Sequence, residues 1–329
     1  MESFKVEISQ FAPVLIPTLN RYEHFKRCVE SLSKCTHAVK TDLYIALDYP
    51  AKKEHWDGYE KIKVYLESIK GFKRIEIIKR DKNFGAFNNM IHSMNYVFSK
   101  HDRIIYSEDD NEFSPNFLDY INKGLDKFEE DPNVVAICGY LYPVKMRKQI
   151  EYNYIYAKAF SAWGFGIWRK KSLHLNSFTS DELIEILRNK ELRKRIRHYD
   201  ERKLYLIQDY VNNNVNAYGD RSVVIDILIS NKYCIFPTIS KVRNHGHDGT
   251  GAHCGRDERD IYSNQKIDTD EYFNYSMKES IYSKKRDKEI RKFFKIRSKH
   301  KIKKMILLYT EKHKFLRKIF YLIKLGMKL

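Results

Sequence analysis

Cysteine is scarce in this 329-residue chain: five residues, odd in number, at positions 28, 35, 138, 234 and 254. Cys28 and Cys35 lie seven apart, without the C-x-x-C spacing of a redox pair or zinc knuckle. Neither a disulfide framework nor a thiolate metal site is therefore expected, and free buried thiols in a reducing compartment are. No run of 18 uncharged apolar residues occurs, so no bilayer-spanning helix is expected. The opening residues, MESFKVEISQ, lack a basic stretch followed by an apolar one, so no secretory signal is read there. Internal repeats are also missing. Apolar residues are not: 43% hydrophobic and 14% aromatic content is enough to bury a core, and the length suggests about two domains.

Charge is abundant and unevenly placed. The chain carries 61 Lys and Arg against 43 Asp and Glu, a net of +18. Residues 284–329 alone hold 18 basic and 3 acidic groups, a net of +15, which leaves +3 for residues 1–283. A nearly neutral globule thus precedes a cationic segment, and the two need separate explanations.

Apolar periodicity in the first half alternates between strand and helix. Short apolar runs at 12–17, 43–47, 75–78, 103–106 and 134–138 read as strands. Helical stripes lie between them: Phe25, Cys28, Val29 and Leu32; residues 54–70; and Phe87 through Phe98. Ser114-Pro115 reads as a helix start, with Ser as N-cap and Pro in the first turn. Continuous apolar strands in a βα alternation predict an α/β fold, a mostly parallel sheet with helices on both faces. Ligands of such sheets collect at the carboxyl ends of the strands. Three of those ends are polar: Thr18-Leu19-Asn20-Arg21, Asp48, and Glu108-Asp109-Asp110. The second half is less regular. It holds an aromatic and glycine segment at 161–169, a charged helical stretch at 180–213, a Gly219-Asp220 turn before an apolar stretch at 223–229, a strand at 233–237, and a His/Gly-rich loop at 244–253.

The acidic triplet is the sharpest local signal. Three adjacent acids at the end of a buried strand repel one another, and a divalent cation with oxygen ligands relieves that repulsion. Mg²⁺ typically takes one or two carboxylates plus substrate phosphates, and the ion would bridge the protein to a nucleotide diphosphate and stabilise it as a leaving group. The competing reading is a solvated acidic loop. The first strand ends without an acid, which counts against an aspartyl-phosphate hydrolase.

The run Val14 to Arg21, then Asp48, then Ser107-Glu108-Asp109-Asp110-Asn111-Glu112-Phe113-Ser114-Pro115 resembles the GT-A (Rossmann-like) fold glycosyltransferases. The likeness is to the N-acetylglucosaminyltransferase I type and to bacterial sugar transferases that build surface polysaccharide. Segments 161–166 and 244–251 resemble the bacterial enzymes as well. The likeness spans roughly residues 10–255. It implies a GT-A domain over 1–255, with a nucleotide-binding half at 1–145 and an acceptor half at 146–255, followed by a basic amphipathic helical tail at 256–329.

The resemblance also implies roles. Arg21 would approach the diphosphate or base, or alternatively cap a helix start. Asp48 would accept a hydrogen bond from a uracil-type base, or serve as a turn residue before Pro50. Glu108 would face the donor sugar, Asp109 the ribose, and Asp110 would ligate Mn²⁺ or Mg²⁺. Asn83 and Gly85 lie where the backbone would approach the nucleotide, or where a turn needs glycine. Asp220, after Tyr218-Gly219, matches the place of the base that activates the acceptor hydroxyl; a helix N-cap is the other role open to it. The family carries an acid where Gly219 stands. Asp226 is the reserve candidate, since burial would raise its pKa.

His253 would reach the metal or diphosphate from the glycine-rich loop, or be plain polar surface. Trp163 would stack on an acceptor sugar, while Trp168 is expected in the core. Beyond residue 284, Ile302, Met305, Ile306 and Tyr309 share one helical face, as do Leu316, Ile319, Phe320 and Ile323, with Lys and Arg around them. Such a helix suits an anionic membrane surface.

The expected protein is a metal-dependent, inverting transferase. It would move sugar from a nucleotide-sugar donor, UDP-linked, to a glycan or lipid-linked acceptor for surface polysaccharide. It is expected in the cytoplasm, peripherally held on the inner face of the cell membrane, with no nucleic-acid partner. The alternatives are a nucleotidyltransferase on the same sheet, which would want a Gly-rich basic loop after the first strand, and a basic nucleic-acid-binding protein.

Overall fold

The computed structural model describes residues 7–144, 153–175, 177–251 and 261–275. The first half runs β1 (Val14–Thr18), α1 (Tyr22–Ser33), β2 (Asp42–Leu47), α2 (Trp56–Leu66), β3 (Arg74–Lys79), α3 (Ala86–Phe98), β4 (Arg103–Tyr106), β5 (Asn111–Phe113), α4 (Phe117–Lys127) and β6 (Val134–Cys138). The second half adds β7 (Tyr154–Ala157), β8 (Phe165–Trp168), β9 (Ser177–Phe178), α5 (Ser180–Arg188), α6 (Lys190–Asn213), β10 (Ala217–Tyr218), α7 (Asp220–Ser230), β11 (Tyr233–Pro237) and β12 (Val242–Asn244).

Among the described residues, eight strands form one sheet in the order β3-β2-β1-β4-β8-β6-β11-β7. The β3-β2-β1-β4 block is parallel throughout. β8 runs antiparallel between β4 and β6, β11 is parallel to β6, and β7 is an antiparallel edge. The mostly parallel sheet expected from the sequence is therefore present. Two small antiparallel ribbons, β9 with β10 and β5 with β12, were not legible in it.

Alternation along the strands sends side chains to opposite faces. Leu15, Tyr44 and Ala46 join one core with α3, α5, α6 and α7. Val14, Ile16, Leu43 and Ile45 join a second core with α1, α2 and α4. Both faces are thus covered. The described cysteines, Cys28, Cys35, Cys138 and Cys234, are free and buried.

Pro17 sits in a central strand, where a missing N–H normally breaks the ladder. On the β4 side the ladder ends with the Ser107 N–H donating to the Leu15 carbonyl at 3.0 Å. On the β2 side it continues, with the Asp48 N–H donating to the Thr18 carbonyl at 2.9 Å. By the same alternation, Pro17 faces β4 just beyond the last bond. The proline therefore costs no pairing, and the two strands part there. The chain also reverses its direction of travel across the sheet at this point, from β1 outward to β3 and then back to β4. Crevices of this kind, outside the carboxyl ends of the strands, are where α/β sheets bind ligands.

Three local expectations change. The helix after Ser114-Pro115 begins at Phe117 with Asn116 as N-cap, two residues later than expected, and Ser114 Oγ donates to Asn116 Oδ1 (3.0 Å). The apolar stretch at 223–229 is helix α7, buried on nearly every side, so its sequence carries no amphipathic stripe. The charged stretch at 180–213 is two helices. Asn189 caps the second with bonds to the Glu191 and Leu192 amides, and Asp200 (φ −145°, ψ 91°) kinks it.

The packed globule also runs past residue 255. Residues 261–275, which the sequence division puts in the tail, bury Ile267, Phe273 and Tyr275. Lys241, with a side chain 1% exposed, pairs there with Asp268, and the ammonium lies 4.5 Å from the Phe273 ring centre. Burial lowers the Lys241 pKa, and Asp268 opposes that shift. The amphipathic faces read at 302–323 lie outside the described residues.

Candidate active site

The crevice between β1 and β4 receives the acidic triplet. Asp109 and Asp110 are buried, and Glu108 is partly exposed. Thr18 Oγ1, at the end of β1, donates to Asp109 Oδ2 at 2.9 Å. Arg21, the residue that opens α1, places its guanidinium on Asp109 and on Asp110 Oδ2, the latter at 2.8 Å. Burial alone would weaken that cation, but the two carboxylates hold its pKa above the ordinary arginine value. Arg21 stands at the N-cap position of α1, as one of its two expected roles requires, with its carbonyl accepting from the Phe25 amide at 2.9 Å. It is also the positive partner of the acids.

Asp110 is held from the far end of the chain. Asn244 Nδ2 donates to its Oδ1 at 2.6 Å, and the His245 amide donates to its carbonyl at 2.8 Å. The β5–β12 ribbon sets this contact by pairing Asn111 with Asn244. A Cβ on Gly246 would lie 2.1 Å from Asp110 Oδ2, so glycine lets the backbone pack against that oxygen, which also takes the Arg21 guanidinium. Beyond it, His245 Nε2 meets Glu112 at 2.7 Å and His24 meets Asp248 at 3.1 Å.

Asp48 and Asn83 are also brought together. Asp48 accepts from the Tyr49 and Phe84 amides at 2.8 and 2.9 Å and from Asn83 Nδ2 at 3.4 Å. Arg80 anchors the same loop to Asn89 and Ser93. Both residues therefore brace the loop after β3, and Asn83 remains exposed.

Asp220 approaches from the second half. Gly219 (φ 60°, ψ −136°) takes a backbone shape closed to other residues and serves as N-cap, so Asp220 is the first helical residue of α7 and is exposed. The N-cap role suggested for Asp220 falls to Gly219. Burial first, then Asp110, Asp220 and Asp109, push the Glu108 pKa up to about 8. Burial, opposed by Arg21 and reinforced by Asp110, likewise raises Asp109. Asp220 is therefore close enough to share one field with the triplet. Lys203, after the α6 kink, feels Asp220 as its strongest attractive partner, although burial lowers its pKa. Asp226, the reserve base, is buried inside α7. Trp163 is partly buried among Tyr140, His247 and Tyr262, at ring-centre distances of 4.5, 5.4 and 5.4 Å. Trp168 is in the core, and His253 lies outside the described residues.

Lys203 was missed by sequence reasoning, and Thr18, Asn244 and Gly246 were read only as parts of a polar strand end and of a glycine-rich loop.

Clustered carboxylates suit a hard divalent cation, which prefers oxygen ligands, and Arg21 supplies the positive charge beside them here. No ready-made group of three or more ligating side chains exists among the described residues. Asp110 is the residue that fits such an ion: Asn244 orients its Oδ1, and its Oδ2, which faces Arg21, would turn to the metal with substrate oxygens completing the shell.

A mostly parallel sheet with a carboxylate-rich crevice at its switch point has the arrangement in which α/β proteins bind ligands. The family profile described as glycosyl transferase family 2 matches residues 14–197, more than half of the chain. The chain belongs to that family; it is a glycosyltransferase with a GT-A fold. This class displaces the nucleotidyltransferase alternative. No curated protein matches the chain.

Solved structures similar to it include three glycosyltransferase-related chains. A mannosyltransferase from Pyrobaculum calidifontis in complex with GDP-Man and Mn²⁺ has 13% identity and a TM-score of 0.35, over 54% of this chain and 46% of that one. S. aureus TarS 1-349 has 11% identity and a TM-score of 0.33, over 69% and 60%. Mouse xyloside xylosyltransferase 1, apo form, has 10% and 0.35, over 66% and 81%. The match thus spans about half of the first of these and three-fifths of the second.

Proposed function

We propose that the chain transfers a sugar from a UDP-linked donor to a hydroxyl of a glycan or lipid-linked glycan, with inversion. The observation that carries this reading is the pairing of Asp109 and Asp110 with Arg21 in the crevice between β1 and β4, with Glu108 beside them. The half at 1–145 would hold the donor and the half at 146–255 the acceptor. Asp48 and Asn83 would meet the base, Asp109 the ribose and Glu108 the donor sugar. Asp110 would hold Mn²⁺ or Mg²⁺, which supplies Lewis-acid stabilisation of the departing diphosphate.

Asp220 would act as general base. Its carboxylate takes the acceptor's hydroxyl proton as that oxygen bonds to the anomeric carbon. The bond from the anomeric carbon to the diphosphate oxygen breaks on the opposite face, and the nucleotide leaves with the electron pair. Arg21 would then exchange carboxylate partners for phosphate, which its planar fork suits equally. The net +15 beyond residue 284 supports an acceptor met at the anionic inner face of the cell membrane. No described helix is long and apolar enough to cross a membrane.

The test is thermal stability with UDP or GDP, each alone and with Mn²⁺ or Mg²⁺. A rise in Tm with UDP only when metal is present, lost in Asp110→Ala, is expected. Equal stabilisation without metal, or preference for GDP, would overturn the donor assignment.

A further inference from the structure

The exposed aromatic that adjoins the candidate base along the chain is not the one that the sequence marked. Trp163 has three rings packed against it, Tyr140, His247 and Tyr262, so its surface is already engaged by protein. Tyr218 lies two residues before Asp220 and is 43% exposed, one of the larger exposed apolar side chains of the protein. Its backbone is fixed on one side by pairing of β10 with β9. On the other side Gly219 turns the chain directly into α7. The ring rests against Phe87 near the start of α3, with ring centres 4.8 Å apart and planes at 50°. Phe87 belongs to the first half and Tyr218 to the second, so the pair spans the mouth between them. One ring braces the other, and exposed tyrosine surface is left two residues from the Asp220 carboxylate, which is itself exposed at the start of α7.

We infer that Tyr218, braced by Phe87, is an acceptor platform that carries the face of a pyranose ring and so presents its hydroxyl to Asp220. This deepens the reading of Asp220 as base and rests on it. The chemistry is that of aromatic recognition generally. A sugar ring has an apolar face of C–H groups, which covers an aromatic face, and polar edges that stay free for hydrogen bonds. A tyrosine supplies a large rigid surface with little side-chain freedom to lose, and a wet hydroxyl at its rim. Held against such a plate, a hydroxyl reaches the base in a defined orientation, which raises the rate through positioning. Tyr218 is on this account a positioning residue. An acyclic polyol, with no flat face to offer, gains little from it.

The experiment reads saturation-transfer NMR from the full-length protein to three probes, methyl β-glucopyranoside, methyl β-galactopyranoside and glycerol, with and without UDP and Mn²⁺. A pyranoside whose axial C–H protons receive saturation, with glycerol silent, is the expected result. That signal should fall about tenfold or vanish in Tyr218→Ala and Tyr218→Leu and persist in Tyr218→Phe. With a transferred pyranoside, KM for the acceptor should rise by a similar factor while Kd for UDP and metal, from calorimetry, holds. An undiminished signal in Tyr218→Ala and Tyr218→Leu, or equal saturation of glycerol, would overturn the platform. Nucleotide binding without any pyranoside signal would do the same. A pyranoside signal lost in Tyr218→Ala, in a protein that binds no nucleotide, would support the platform and overturn the UDP-donor reading.

Discussion

The two halves of the sheet solve the same problem differently. From β1 to β4 three of the four strand ends deliver candidate-site side chains directly, because parallel strands joined by helices all finish at one edge. Thr18, Asp48 and Asp109 reach the crevice within a residue or three of a strand end. From β5 onward the functional groups arrive indirectly, through Asn244 on a short antiparallel ribbon and Asp220 at a helix start. A regular βα half can thus be read by position along the chain, while the other half is read only by contact.

This contrast can be attacked from either side. The largest effect is expected from Asp220→Asn, which leaves the donor half intact. Transfer should fall about 10²–10⁴-fold, with nucleotide and metal binding retained. Loss of both together would mean that the halves are not separable.

Asp268→Asn comes next, and it probes the second half's contribution to stability. It strands the buried Lys241 ammonium, and breaking such a pair costs about 3–5 kcal/mol, read by chemical denaturation. The pH dependence has a definite sign. Burial favours the neutral acid, but Lys241, Asn116 and the Asp270 amide outweigh it and hold the Asp268 pKa below 3.8. Its contribution is therefore present above pH 3.8 and is lost as the pH falls through the folded-state value. The deficit of Asp268→Asn should shrink as the pH is lowered below 3.8, and a constant deficit down to pH 2 would break the assignment.

The smallest effect should come from Thr179→Ala. It removes the reciprocal bonds between Thr179 and Glu182 that cap α5. A loss of about 1 kcal/mol is expected, with the UDP-dependent rise in Tm unchanged.

The acids at 108–110 stood out in the sequence because like charges in a row at a strand end need a compensating partner, and that requirement is local. Arg21 was visible as a cation after β1, but its attachment to those acids depends on β1 and β4 being neighbours. Asn244 clamps Asp110 across 134 positions, a separation that no local pattern encodes. Helix α7 was obscured because a helix buried all round shows no stripe. The packing of 261–275 was obscured because its few apolar residues, Ile267, Phe273 and Tyr275, are set in a polar context.

The residues alone determined the alternation of elements, the direction of most of the sheet and the end of it that carries acids, since apolar periodicity and charge repulsion act over short spans of chain. Only the folded chain decided which cation answers those acids, which glycine packs against Asp110 and which aromatic stands open beside Asp220. Those are distances between segments remote in sequence, and they exist only once both faces of the sheet have been covered.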